Sequence, residues 1–155
     1  MEIRVAQKGD IPQILELLGQ IARLHVEGRP DIFRRGRKFS FEDVEQMLTD
    51  PNKPVFVSVE EERVLGYIFC VHKEIRGHSV LLDRKVLYID DLCVDESCRG
   101  QGIGKALYDR AVALARETGF FNVELNVWAF NADAIGFYEK CGMRPQRIIM
   151  ESEKL

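Results

Sequence analysis

Hydrophobic positions along the chain change their period several times, and each change marks an element. Met1–Val5 (MEIRV) reads as a short strand. Ile14, Leu17, Leu18, Ile21 and Leu24 then recur at helical spacing and give one apolar face. That helix is predicted to open at Gly9-Asp10, with Asp10 as its cap, Gln13 at the capping-box position and Pro12 in its first turn. Gly28 and Pro30 end it. Ser40 begins S-F-E-D, a second capping box, and Val44, Met47 and Leu48 carry a short helix that stops before Pro51. Pro54–Val59 (PVFVSV) and Val64–Val71 (VLGYIFCV) predict a hairpin around the charged turn Glu60–Arg63. Lys73–Lys85 is polar, a loop or a frayed strand extension. Val86–Val94 (VLYIDDLCV) predicts a central strand interrupted by two acids. Ala106, Leu107, Ala111, Leu114 and Ala115 trace a third helix, closed by Gly119. Asn122–Trp128 (NVELNVW) alternates as a strand, Ala132–Cys141 is a short helix ended by Gly142, and Arg144–Glu151 predicts a final strand.

The resulting order, β-α-α-β-β-β-α-β-α-β, is that of an α+β, mixed-sheet domain, with hairpin strands first and crossover helices later. At 155 residues a single domain over 1–155 is expected, and 46% apolar residues suffice for its core. A net charge of −3 argues against a protein that coats nucleic acid. No apolar run reaches the roughly 18 residues that span a bilayer, and MEIRVAQKGD lacks the layout of a secretion signal. No membrane association is therefore expected. Cys70, Cys93, Cys98 and Cys141 contain no C-x-x-C pair, and His25, His72 and His78 give them no metal-site spacing. The expectation is reduced thiols, no metal and a cytoplasmic protein.

The chemistry-bearing stretch is Arg99–Lys105, R-G-Q-G-I-G-K. A P-loop would need glycine where Arg99 stands and Ser or Thr where Ala106 stands. A dinucleotide fingerprint would need G-x-G-x-x-G, whereas Gly100, Gly102 and Gly104 give G-x-G-x-G, late in the chain. Two readings stay open from the residues alone. The turn presents free amides at a helix N-terminus to a pyrophosphate, with Arg99 as a permanent cation, or it is a bare turn. Just upstream, Asp90 and Asp91 interrupt an apolar strand. Carboxylates there are costly unless hydrogen-bonded or solvated in a cleft, and successive strand residues are expected on opposite faces.

Val86–Lys105 resembles the central motif of the acetyl-CoA-dependent N-acetyltransferase superfamily, GNAT. Its form, R/Q-x-x-G-x-G/A, is matched by Arg99, Gly102 and Gly104. Asn131–Met143 (NADAIGFYEKCGM) is similar to the family's next motif, an asparagine followed by a helix bearing F-Y-E-K-x-G-F/M. The resemblance implies a mostly antiparallel sheet of six to seven strands, flanked by about four helices and splayed between 86–94 and 122–128. It implies acetyl-CoA as co-substrate. The pyrophosphate would lie on the amides of Arg99, Gly100, Gln101, Gly102, Ile103, Gly104 and Lys105. The pantetheine arm would pair with Leu92, Cys93 and Val94, and Asn131 would contact one of these arms. It also implies Asp90 as the base, acting through water, with Asp91 as a second candidate, and Tyr138 as the acid at the departing sulfur.

An acetyl group would then pass directly to a primary amine. Acyl transfer needs a neutral nucleophile, a stabilised oxyanion and a proton for the leaving group. Cys93 reads as a strand filler, since no histidine partners it. His25 reads as a helix-end cap; Trp128 and Phe130 as an acceptor wall, a dimer contact or core. The loop Glu27–Phe39 carries Arg29, Arg34, Arg35, Arg37 and Lys38, which suit an anionic group on the acceptor or plain solvation. The acceptor stays open between a small-molecule amine and a protein or peptide amine. The family is often dimeric, so a homodimer is an option. A CoA-binding sensor without turnover, and an acyltransferase for another acyl-CoA, are the rival readings.

Overall fold

The computed structural model describes residues 1–155. One five-stranded sheet runs in chain order: β1 (Glu2–Val5), β2 (Val55–Glu60), β3 (Arg63–Ile75), β4 (Arg84–Val94) and β5 (Asn122–Leu125). The first three neighbouring pairs are antiparallel; β4 and β5 are parallel, joined by the crossover helix α3 (Ile103–Thr118). Helices α1 (Ile11–Gly28) and α2 (Phe41–Leu48) cover one face. Ile11, Ile14, Leu18 and Val44 pack there on Val57, Tyr67, Phe69 and Cys93. Helix α3 and α4 (Ala132–Lys140) cover the other. There Ile103, Leu107 and Ala111, with Phe137 at the margin, pack on Ile68, Cys70, Leu87 and Ile89. Alternation along β3 and β4 therefore feeds two separate cores, which is why both strands read as nearly continuous apolar runs.

The sheet has fewer strands than expected. Arg144–Glu151 forms no strand, because no backbone group from 144 to 155 joins a backbone–backbone hydrogen bond. β5 ends at Leu125 instead of Trp128, where it leaves β4. The frayed extension does form: Glu74 pairs with Lys85 and Ile75 with Arg84.

Two expected caps have other duties. Asp10 does not cap α1 with its side chain; buried at 7% exposure, it takes both guanidinium nitrogens of Arg4 at 2.7 and 2.9 Å and the amide of Gln7. Gln13 reaches across to the β2–β3 turn, donating to Glu62 O and accepting from Val64 N–H. That turn holds Glu61 and Glu62 at φ 47° and 65°, a left-handed pair usually left to Asn-Gly. The Ser40 capping box forms as expected, with Ser40 Oγ accepting from Asp43 N–H.

Candidate active site

The site begins where the sheet opens. β4 and β5 pair only from Val86–Asn122 to Ile89–Leu125; past that point β4 continues alone through Asp90–Val94. The edge of Leu92, Cys93 and Val94 that would face β5 has no strand partner. A bulge lies at the same point: Phe69 pairs with Asp91 and Cys70 with Ile89, so Asp90 is left without a partner. A bulge breaks the two-residue alternation, and here it overturns the expected opposition of the two acids. Lys38 Nζ lies 3.3 Å from Asp90 Oδ1, donates to Asp90 O, and its charge also acts on Asp91.

Asp91 is half-buried on β4, opposite Phe69 and beside Tyr67. Burial pushes its carboxyl up to about 6, against the opposing pull of the Tyr67 hydroxyl, which donates to Asp91 Oδ2 at 3.0 Å, and of Lys38. Tyr138, on α4, comes into the same opening. Burial first, and then the Asp91 charge, holds its hydroxyl well above the ordinary tyrosine range, so it keeps its proton; the hydroxyl has no hydrogen-bond partner in the protein. Cys93 faces α1, its thiol near Leu17 O at 3.5 Å, and burial pushes it up to about 12. A protonated thiol is a poor nucleophile.

Below the opening lies the glycine turn. Gly100 and Gly102 sit at φ 79° and 81°, and a Cβ at either would meet open space. Gly102 caps α3 with no side chain to take its first amides. No backbone N–H from Arg99 to Lys105 has an acceptor in the protein. Orphan donors in series at a helix N-terminus form an anion seat. Gly104 has a different reason to be glycine: a Cβ there would stand 3.2 Å from the Phe137 ring, so it lets α3 approach α4. Arg99 Nε reaches back to Val94 O at 3.4 Å, while Lys105 is paired with Asp109. Asn131 caps α4, its Oδ1 accepting from Ala134 N–H. Leu92 and Val94 pack toward α3.

The loop after α1 closes the upper side. His25 lies in the last turn of α1, as expected, where its carbonyl accepts the Arg29 N–H, while its ring faces the following loop. It stacks on Phe33 at 4.8 Å; Phe33 meets Trp128 at 5.1 Å, and Phe130 borders both His25 and Trp128. In the same loop Arg29 is held by Asp31 and Glu151, and Lys38 by Asp90, whereas Arg34, Arg35 and Arg37 are exposed with no ion pair. Sequence reasoning missed Tyr67, and it named Lys38 only among the loop cations, not as the partner of Asp90. Tyr67 reads as one more apolar strand position; only its register opposite Cys93 brings it to Asp91.

Comparison with known proteins follows this geometry. The family model described as acetyltransferase (GNAT) family matches residues 18–143. An uncharacterized N-acetyltransferase of Methanocaldococcus jannaschii is 27% identical over 95% of this chain and 62% of its own length. The chain thus spans less than two thirds of that relative. Glucosamine 6-phosphate N-acetyltransferase of Trypanosoma brucei brucei is 31% identical over 93% of this chain and 89% of that one. A crystal structure of a mutant of the BH1408 protein of Bacillus halodurans superposes with TM-score 0.96 and 32% identity, covering 100% of both chains.

Proposed function

As the chain belongs to the acetyltransferase (GNAT) family, we propose that it is an N-acetyltransferase moving the acetyl group of acetyl-CoA to the primary amine of a small acceptor that also carries an anion. The observation that carries this reading is the unbroken run of unpartnered amides from Arg99 to Lys105 beside the opened sheet. Bound acetyl-CoA would supply the activated thioester. Its pyrophosphate fits the glycine turn with Arg99 at the mouth, and Asn131 lies at the neighbouring helix start. The free edge of Leu92–Val94 suits the pantetheine amides and offers a backbone N–H to the thioester oxygen as charge develops.

Asp91 takes the proton of the attacking amine, directly or through one water. Its upward-shifted acidity, near 6, and its Tyr67 hydrogen bond support this choice over Asp90. Asp90, tied to Lys38, holds the positive charge of the incoming amine. Tyr138, kept protonated by burial and the Asp91 charge, gives its proton to the sulfur as the carbon–sulfur bond breaks. The unpaired Arg34, Arg35 and Arg37 and the rings of Phe33 and Trp128 suit an amino sugar phosphate, the acceptor class in the name of the trypanosomal relative. Cysteines that form no disulfide suit a reducing, cytoplasmic setting, and no helix is long and apolar enough to cross a membrane.

The test is calorimetric titration with acetyl-CoA of the native chain and of Gly102→Val, followed by thiol-release assays with glucosamine 6-phosphate. Micromolar binding that Gly102→Val abolishes supports the seat. A native chain that binds no acetyl-CoA sinks the reading. Binding without turnover on any amine would make it a CoA sensor.

A further inference from the structure

One primary amine of the chain already stands at the acids of β4. Lys38 Nζ lies 3.3 Å from Asp90 Oδ1 and donates to Asp90 O at 3.2 Å, and its charge acts on Asp91. No other lysine has a hydrogen bond or ion pair to either acid; Lys8 is held by Glu45 and Lys105 by Asp109. The position is built from the sheet and from the loop. The Phe39 ring packs on Phe69 at 5.4 Å, and Phe69 is the β3 residue paired with Asp91. Lys38 Nζ stands 5.4 Å from the centre of the Phe39 ring, and Ser40, directly after it, caps α2. The lysine is thus anchored at the open end of β4 while its side chain stays 49% exposed. An exposed ion pair contributes little to stability and opens readily.

We infer that Lys38 is a modification site made by the chain itself: with acetyl-CoA bound and no other amine in the cleft, the chain acetylates Lys38 within the same molecule. The inference rests on the acetyltransferase reading proposed above. In the free chain the Lys38 ammonium holds the seat that Asp90 offers to an incoming amine. Asp91 takes a proton from it, and the freed electron pair forms a bond to the thioester carbon. The carbon–sulfur bond breaks as Tyr138 gives its proton to the sulfur. Nitrogen sheds two protons in all: one leaves to water by way of Asp91, and the other restores Tyr138. An N-acetyl-lysine and a free thiol remain. An amine tethered beside the base needs no encounter with it, so the reaction proceeds when acceptor is scarce and gives way when acceptor fills the seat. Arg34, Arg35 and Arg37 on the same loop cannot take this part, because a guanidinium keeps its proton. Acetylation removes the Lys38 charge and with it the ion pair, which leaves Asp90 free for the next amine.

The test is incubation of the native chain with acetyl-CoA alone, followed by intact mass and peptide mapping. One acetyl group should appear per chain, on Lys38, at a rate per chain that dilution leaves unchanged. Lys38→Arg, which keeps the charge, should lose this label. Gly102→Val should lose it too, whereas acetylation by thioester free in solution would persist there. Asp91→Asn should slow labelling by roughly 10²-fold or more. An amine that the native chain turns over should protect Lys38 while it is present. A chain that turns over an added amine yet leaves Lys38 unlabelled overturns the inference and leaves the acetyltransferase reading standing. A chain that binds no acetyl-CoA overturns both. Label spread over the exposed lysines, or equal label in Gly102→Val, also overturns the inference.

Discussion

A single hydrogen bond, from the Tyr67 hydroxyl to Asp91 Oδ2, sits at the open end of β4 and favours the ionised form of the Asp91 carboxyl. Burial raises the Asp91 carboxyl to about 6 while Tyr67 pulls it down. In the proposed role of base it must be ionised, so kcat/KM should rise with pH through about 6 and level above it. Tyr67→Phe removes the stabiliser of the ionised form, and the rise should move to higher pH with the enzyme otherwise intact. A rise that stays in place would take Asp91 out of the reaction. Stability runs the other way. A carboxyl whose folded pKa is raised above its unfolded value loses its stabilising share as pH climbs through the folded value. Asp91→Asn should therefore cut kcat by roughly 10²–10⁴ while leaving Tm at pH 8 unchanged or higher. A marked fall in Tm would assign Asp91 to a structural pair instead. Tyr138→Phe should lower kcat with acetyl-CoA affinity kept; equal kcat in the variant would leave thiolate protonation to water.

At the scale of elements, the glycine turn and the hairpin turn use the same backbone region differently. Gly102 takes φ 81° with open space where a Cβ would stand, whereas Glu61 and Glu62 take left-handed angles without glycine. Left-handed backbone costs a side-chain-bearing residue about 1–2 kcal/mol. Replacing Glu61-Glu62 by Asn-Gly should thus stabilise the fold by about 1 kcal/mol in urea melts with activity unchanged. A loss of stability would mean that the Gln13 contacts already favour the present turn. Most elements could be read from periodicity, because helix faces and strands here feed two ordinary cores. The glycine turn and the helix α4 were also legible, since their residue types answer local needs: positive φ, free amides, a cap. What was not legible depends on partners far along the chain. Asp10 looks like a cap until Arg4 is beside it, and the two acids look opposed until the bulge at Asp90 is known. Arg144–Glu151 has the pattern of a strand, but a strand also needs a neighbour.

The molecule as a whole carries a net charge of −3, so its mean field repels an anionic acceptor. Attraction must then come from a local group of cations within a Debye length, about 8 Å at physiological salt. Arg34, Arg35 and Arg37 are such a group: exposed, unpaired, and on the loop that packs Phe33 against Trp128. The other cations of this loop are committed, Arg29 to Asp31 and Glu151, Lys38 to Asp90. Changing all three arginines to glutamine should raise KM for glucosamine 6-phosphate about tenfold or more, the size of one or two charge-assisted hydrogen bonds. KM for glucosamine, which has no phosphate, should not move, and neither should kcat for either. Added salt should raise KM for the phosphorylated acceptor in the native enzyme and much less in the variant, because the charges that salt screens are then gone. Parallel changes for both acceptors would mean that the substitutions disturb the loop itself and that the arginines merely solvate it.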